Sequence, residues 1–118
     1  MRDITIKISR DKPELDILRV LVACKQRTPD GYILCAPGVL FPGVDARKDS
    51  IVYDTIGELI NKGFLERYWF ITRSNGYGSP VRGMLLRINL ANPGLDKPWM
   101  GGIAEAERAA RREFSESN

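Results

Sequence analysis

Histidine is absent from the chain, and cysteine occurs only at Cys24 and Cys35. The commonest general base is therefore missing, and two thiols eleven residues apart have neither the C-x-x-C spacing nor the further ligands of a zinc site. Both cysteines read as buried small apolar residues, and neither a metal nor a cofactor is expected. No paired carboxylates and no glycine-rich phosphate loop stand at a strand-to-helix junction, so a non-enzymatic protein is expected. No apolar run approaches the roughly 20 residues that span a bilayer. The opening MRDITIKISRDK also lacks the apolar stretch of a secretory signal, which points to a cytoplasmic protein without a membrane partner. One long stretch is free of acid: from Arg67 to Leu95 there are four arginines, Arg67, Arg73, Arg82 and Arg87, and no Asp or Glu.

What is present fits one modest core with an appendage. The chain has 118 residues, 43% hydrophobic and 28% charged, ordinary values for a globular domain. A formal net charge of +3 permits nucleic-acid binding without demanding it, so where the arginines sit matters more than the total.

The segment from Ser50 to Arg67 is the most informative. Val52, Ile56, Leu59 and Ile60 recur at steps of three and four and project onto one side of a helix, which belongs to the core. The other side carries Arg47, Ser50, Asp54 and Asn61, with Ile51 and Gly57 at its margins, a short polar surface suited to lie against base edges. Gly63 stands where a helix end wants a left-handed residue, and Phe64 can fold back on Leu59. Glu58 and Lys62 are spaced for an exposed i,i+4 pair.

Beyond that stop, Leu65, Arg67, Trp69, Ile71 and Arg73 alternate with Glu66, Tyr68, Phe70 and Thr72, the pattern of a strand with one buried side. A returning strand runs from Val81 to Leu90, with Met84, Leu86, Ile88 and Leu90 on one face. Ser74 to Pro80 supplies the Asn-Gly tip. Arg73 and Arg82 flank this tip, where a guanidinium can fork onto phosphate or enter a narrow minor groove. The plainer alternative is that the arginines only keep an exposed hairpin soluble.

Upstream, Ile4, Ile6 and Ile8 alternate with polar residues as a short strand does, to pair with the wing sheet or with a second subunit. Asp11, Pro13 and Glu14 mark the start of a helix expected to run to about Arg27. Thr28 to Gly31 is a turn, and Tyr32 to Cys35 a very short strand. Residues 36–43 should hold a support helix, but two prolines and two glycines leave room for a turn or so. Asp45 or Asp49 then caps the reading helix, with Arg47 and Lys48 close to a sugar-phosphate backbone.

The run Leu59, Gly63, Phe64, Leu65, Glu66, Arg67 resembles the signature of the winged helix-turn-helix superfamily of small bacterial, phage and plasmid regulators, in which a helix ends in Leu-x-x-x-Gly and Glu-Arg opens the wing. The resemblance covers roughly Pro13 to Leu90 and is one of fold. It implies an α+β domain with a two-stranded wing, here with an extra N-terminal strand and a C-terminal helical arm. It places the DNA-facing positions at Ser50, Ile51, Tyr53 and Asp54 in the helix, and at Asn75 and its neighbours, Tyr77 included, in the wing. A degraded second helix and an acid at Asp54 depart from the pattern, although aspartate can accept from cytosine N4.

The expected organisation is a winged-helix domain over 1–90, a linker over 91–102 and a helix or tail over 103–118. In the last segment Ile103, Ala106, Ala110 and Phe114 form a narrow apolar seam, read either as a dimerising arm or as a fraying tail. Trp99 either docks the linker or anchors a partner. The function expected is sequence-specific binding of double-stranded DNA by a homodimeric transcription regulator. The alternatives are a protein-interaction module using Tyr68, Trp69 and Phe70, or the DNA-binding part of a phage or plasmid replication or partition system.

Overall fold

The computed structural model describes residues 12–25, 27–35, 51–72 and 81–117, the side chains of Cys35, Ile71, Thr72, Val81, Arg82 and Ser117 excepted. The expected strand at Ile4–Ile8, the cap at Asp11, the support helix in 36–43, the caps at Asp45 and Asp49 and the hairpin tip at 74–80 lie outside the described residues.

Helix α1 (Pro13–Ala23) starts with proline inside its first turn, where the missing N–H costs nothing, and with Glu14 and Asp16 at the positive end of the helix dipole. Its N-cap position is Lys12, one residue beyond the expected Asp11, and the Lys12 carbonyl accepts the Asp16 N–H at 3.1 Å. Ile17, Leu18 and Leu21 are fully buried. The helix stops at Ala23, four residues short of expectation, because the chain turns extended at Cys24 and Arg27 folds back on the helix end. Arg27 Nε donates to the Cys24 carbonyl at 3.1 Å and Nη2 to the Leu21 carbonyl at 3.1 Å. The residue expected to end the helix thus caps it from outside, satisfying carbonyls that have no partner within the helix.

A tight turn follows, with Gly31 at φ +88°, a backbone setting that glycine takes without Cβ strain. It leads to strand β1 (Ile33–Cys35). Helix α2 (Ile51–Asn61) buries Val52, Thr55, Ile56 and Leu59. Its end agrees with the sequence reading: Gly63 has φ +79°, its N–H reaches the Ile60 carbonyl at 3.0 Å, and the Phe64 N–H reaches the Leu59 carbonyl at 2.9 Å. This paired bonding is the Schellman arrangement. Two asparagines from beyond the sheet take two further carbonyls: Asn89 Nδ2 donates to Gly63 at 2.9 Å, and Asn92 Nδ2 to Lys62 at 3.2 Å.

Strands β2 (Leu65–Thr72) and β3 (Val81–Ile88) pair antiparallel from Leu65↔Ile88 to Thr72↔Val81. Strand β1 pairs with β3 through Ile33↔Leu86, so the antiparallel sheet runs β1-β3-β2. Directly opposed residues share a face. One face therefore carries Ile33, Met84, Leu86, Ile88 and Leu65, all buried in the core with α1 and α2.

The segment after Leu90 is more than a linker. It forms two 3₁₀ turns, Pro93–Asp96 and Pro98–Met100, whose Leu95 and Met100 are buried in the same core. Trp99 sets its ring edge-on against Phe64 at 6.2 Å while 61% exposed, so it docks the segment and still faces solvent.

Helix α3 (Ile103–Ser117) packs on α1 and on the first 3₁₀ turn. Its buried positions are Ile103, Ala104 and Glu107, whereas Ala106, expected in the seam, is exposed. The expected stripe misses the buried one by part of a turn, because a glutamate occupies its centre and hides it from any count of apolar residues. No described helix is long and apolar enough to cross a membrane.

Candidate nucleic-acid interface

Helix α2 turns its second side outward. Tyr53, Asp54, Glu58 and Asn61 are exposed along it, and a Cβ placed on Gly57 would meet open space. Of the expected DNA-facing positions, Tyr53 (43% exposed) and Asp54 therefore stand on the open surface. Ile51 departs from the expectation: it shares the stripe of Thr55 and Leu59 and packs half-buried against the core, so it offers little to a groove. Arg47, Lys48 and Ser50 precede the helix and, like Arg73, Asn75 and Tyr77 in the hairpin, lie outside the described residues. For Arg82 only the backbone is described, paired with Ile71.

The charge on the α2 face is acidic toward its C-terminal half, where Glu58 follows Asp54. The neighbouring cation, Lys62, leaves Glu58 for Glu14 of α1, which its Nζ meets at 2.7 Å. That hydrogen bond, reinforced by the Glu14 charge, raises the Lys62 ammonium above its ordinary value. A polyanion is met more favourably at the N-terminal end of α2, next to Arg47 and Lys48 in sequence, than at its C-terminal end.

The arginines of the hairpin separate by strand parity. Arg87 points to the sheet face away from the helices, where Nε and Nη2 fork onto the Glu66 carboxylate at 3.1 and 3.2 Å and Nη1 donates to the Asp30 carbonyl at 3.0 Å. Its guanidinium also covers the Tyr32 ring at 4.5 Å. The Glu66 hydrogen bond holds the Arg87 pKa above its ordinary value despite partial burial. This arginine, one of the four in the acid-free stretch, serves the protein's own fold. Arg67 lies on the opposite, helix-bearing face, opposite Leu86, and stacks over Trp69 at 4.8 Å. The helices bury the Leu65 end of β2 and leave Arg67 and Trp69 exposed. Position 82, two residues before Met84, has the same parity as Arg67.

That parity also divides the aromatic run. Tyr68 pairs with Leu85 and Phe70 with Gly83 on the outer face, whereas Trp69 pairs with Met84 on the helix side. Tyr68, Trp69 and Phe70 cannot form one continuous partner surface. The sequence held a signal for this, since residues two apart in a strand share a face and consecutive ones do not. The Glu66–Arg87 pair was harder to find, because it needs the cross-strand register.

Among the described residues no cluster of His, Cys, Asp or Glu is arranged to hold a metal ion. Comparison of the chain with protein-family models, with curated proteins and with solved structures returns no match. Any functional reading rests on connectivity and surface chemistry.

Proposed function

We propose that the chain is a winged helix-turn-helix protein that binds double-stranded DNA and acts as a transcription regulator in the cytoplasm. The connectivity supports the fold: a helix, a short strand joining the sheet's far edge, a second helix, then an arginine-bearing hairpin. The observation that carries the DNA reading is the shared side of the sheet. Arg67 and position 82 belong to the face on which α2 lies, and α2 leaves Tyr53, Asp54 and Asn61 open there. The N-terminal half of α2 enters the major groove, and the hairpin lies along phosphate or an adjoining minor groove. Asp54 accepts from a cytosine amino group, which gives sequence preference at one base pair. Two subunits would read half-sites about 34 Å apart.

The test is selection of bound duplexes from a random pool, followed by fluorescence anisotropy on the selected sequence. The expected result is binding that falls steeply with salt, as release of counterions from phosphate requires, and that is lost in an Arg73→Ala/Arg82→Ala variant. Enrichment of no sequence, or an affinity indifferent to both arginines, would overturn the reading.

A further inference from the structure

Seven arginine side chains are described, and six of them, Arg19, Arg27, Arg87, Arg108, Arg111 and Arg112, come within 3.9 Å of a carboxylate. Arg67 is the exception. Among the described residues it has no carboxylate partner, and its guanidinium lies over the Trp69 ring instead, 4.8 Å from the centroid. The two side chains stand two residues apart in β2 and so share the helix-bearing face. Both are exposed there, Trp69 at 41%. An indole this open forgoes part of the burial that usually stabilises one, and what its electron-rich face holds is a cation.

We propose that Trp69 is a positioning residue, holding the Arg67 guanidinium ready for a backbone phosphate of the bound duplex. The inference rests on the DNA reading above. Guanidinium donors all lie in one plane, so a ring against the flat side leaves the N–H edge available to fork onto two phosphate oxygens. An arginine that is free in solution must give up rotamer freedom to make that contact, whereas one already held has less to lose. A carboxylate would place the arginine equally well but would also neutralise it, as Glu66 does Arg87 on the other face. An aromatic ring places a cation and leaves its charge intact. The partner follows from the location: α2 leaves Tyr53, Asp54 and Asn61 open on the same side, and from Arg67 to Leu95 the chain has no acid to repel a polyanion.

Fluorescence anisotropy of the full chain on its selected duplex tests the role. Trp69→Leu should weaken binding about 2- to 5-fold, the factor to which an exposed cation–π contact corresponds. Trp69→Phe, which keeps an aromatic face, should recover part of the loss. In an Arg67→Ala background Trp69→Leu should change the affinity by less than about 1.5-fold, since nothing is left to position. A loss that is the same with and without Arg67 would overturn the proposal. So would full affinity in Trp69→Leu while Arg73→Ala/Arg82→Ala abolishes binding, an outcome that leaves the DNA reading standing. Positioning is also readable without DNA: nitrogen-15 relaxation at Arg67 Nε should report a more mobile guanidinium in Trp69→Leu than in wild type. Equal mobility in the two chains would sink the proposal. A chain that is ordered at Arg67 yet binds no duplex, or binds poly-glutamate as tightly, would overturn the DNA reading and the phosphate partner with it.

Discussion

Arg27 and Glu107 lie 80 residues apart in sequence and form a bidentate ion pair, Nη1 to Oε2 at 2.7 Å and Nη2 to Oε1 at 2.8 Å, with side chains 1% and 0% exposed. The carboxylate is shared with Arg111, whose Nε donates to Oε2 at 2.8 Å and whose Nη2 bonds the Ile88 carbonyl at 2.5 Å. Arg27 meanwhile closes the end of α1. One buried carboxylate therefore ties the last helix to the first helix and to the end of β3.

Removing one partner of such a pair strands the other in a low-dielectric site. Glu107→Ala should lower the unfolding free energy by about 3–5 kcal/mol, measured by urea denaturation. Exchanging both partners for apolar residues, Arg27→Met with Glu107→Leu, should cost less than Glu107→Ala alone, because the fully buried Arg27 charge leaves with its partner, while Arg111, 30% exposed, keeps the Ile88 carbonyl and reaches solvent. Equal losses in the single and double variants would show that the pair does not act as a unit.

The division of the hairpin arginines gives a paired expectation for DNA. Arg67→Ala should weaken binding evenly across sequences and reduce the salt slope by about one. Arg87→Ala should leave the salt slope in place and instead destabilise the fold by up to about 1 kcal/mol, since its partner Glu66 is 40% exposed and solvent screens the pair. Anisotropy titrations at several salt concentrations separate the two effects. A larger loss of affinity at Arg87 than at Arg67 would reverse the assignment of faces.

Local signals were legible in the sequence where a single residue type has a single conformational use. The Gly63–Phe64 stop, the turn at Gly31 and the pairing of β2 with β3 follow from positive φ and two-residue alternation, and all are present. Long-range polar ties were not legible. Arg27 reads as one more helical residue until Glu107 is seen beside it, and Glu107 reads as a solvated glutamate that spoils an apolar stripe. The same blindness turned a packed helix into an arm and a docked pair of 3₁₀ turns into a linker. For the candidate interface, the exposure of Asp54 and Asn61 followed from helical periodicity, and Tyr53 was reached only through the resemblance. The loss of Arg87 to Glu66 did not, because the register brings together residues 21 apart.

The Lys62–Glu14 bond predicts a pH dependence at the alkaline end. Glu14 raises the Lys62 ammonium above its ordinary 10.5 in the folded chain. A cation whose folded value lies above its unfolded one contributes its full stability below the unfolded value and loses it as pH rises through the folded one. The melting temperatures of wild type and Lys62→Met should therefore differ at about pH 8 and converge by about pH 12, above the range in which lysine titrates. The exposed position makes the effect small, so the sign and the convergence are what the comparison reads. A gap that widens with pH would contradict the bond.

Gly83 and Phe70 form a second coupled pair, and here the coupling is steric. They face each other across β2 and β3, and a Cβ on Gly83 would sit 2.1, 2.5 and 2.7 Å from three atoms of the Phe70 ring, closer than carbon atoms can approach. Strand interiors ordinarily gain from replacing glycine, which loses the most backbone freedom on folding. Here the gain is opposed, because alanine must push the ring off the strand and break its contact. Gly83→Ala should therefore destabilise by about 1 kcal/mol in the wild-type background, the low end for forced overpacking, because the half-buried ring can swing outward. In a Phe70→Ala background, where the space is empty, the same substitution should become neutral or stabilising by up to about 1 kcal/mol. A change of sign between the two backgrounds is the signature of the clash. If Gly83→Ala cost the same in both, the glycine would be required by the backbone instead of by the ring.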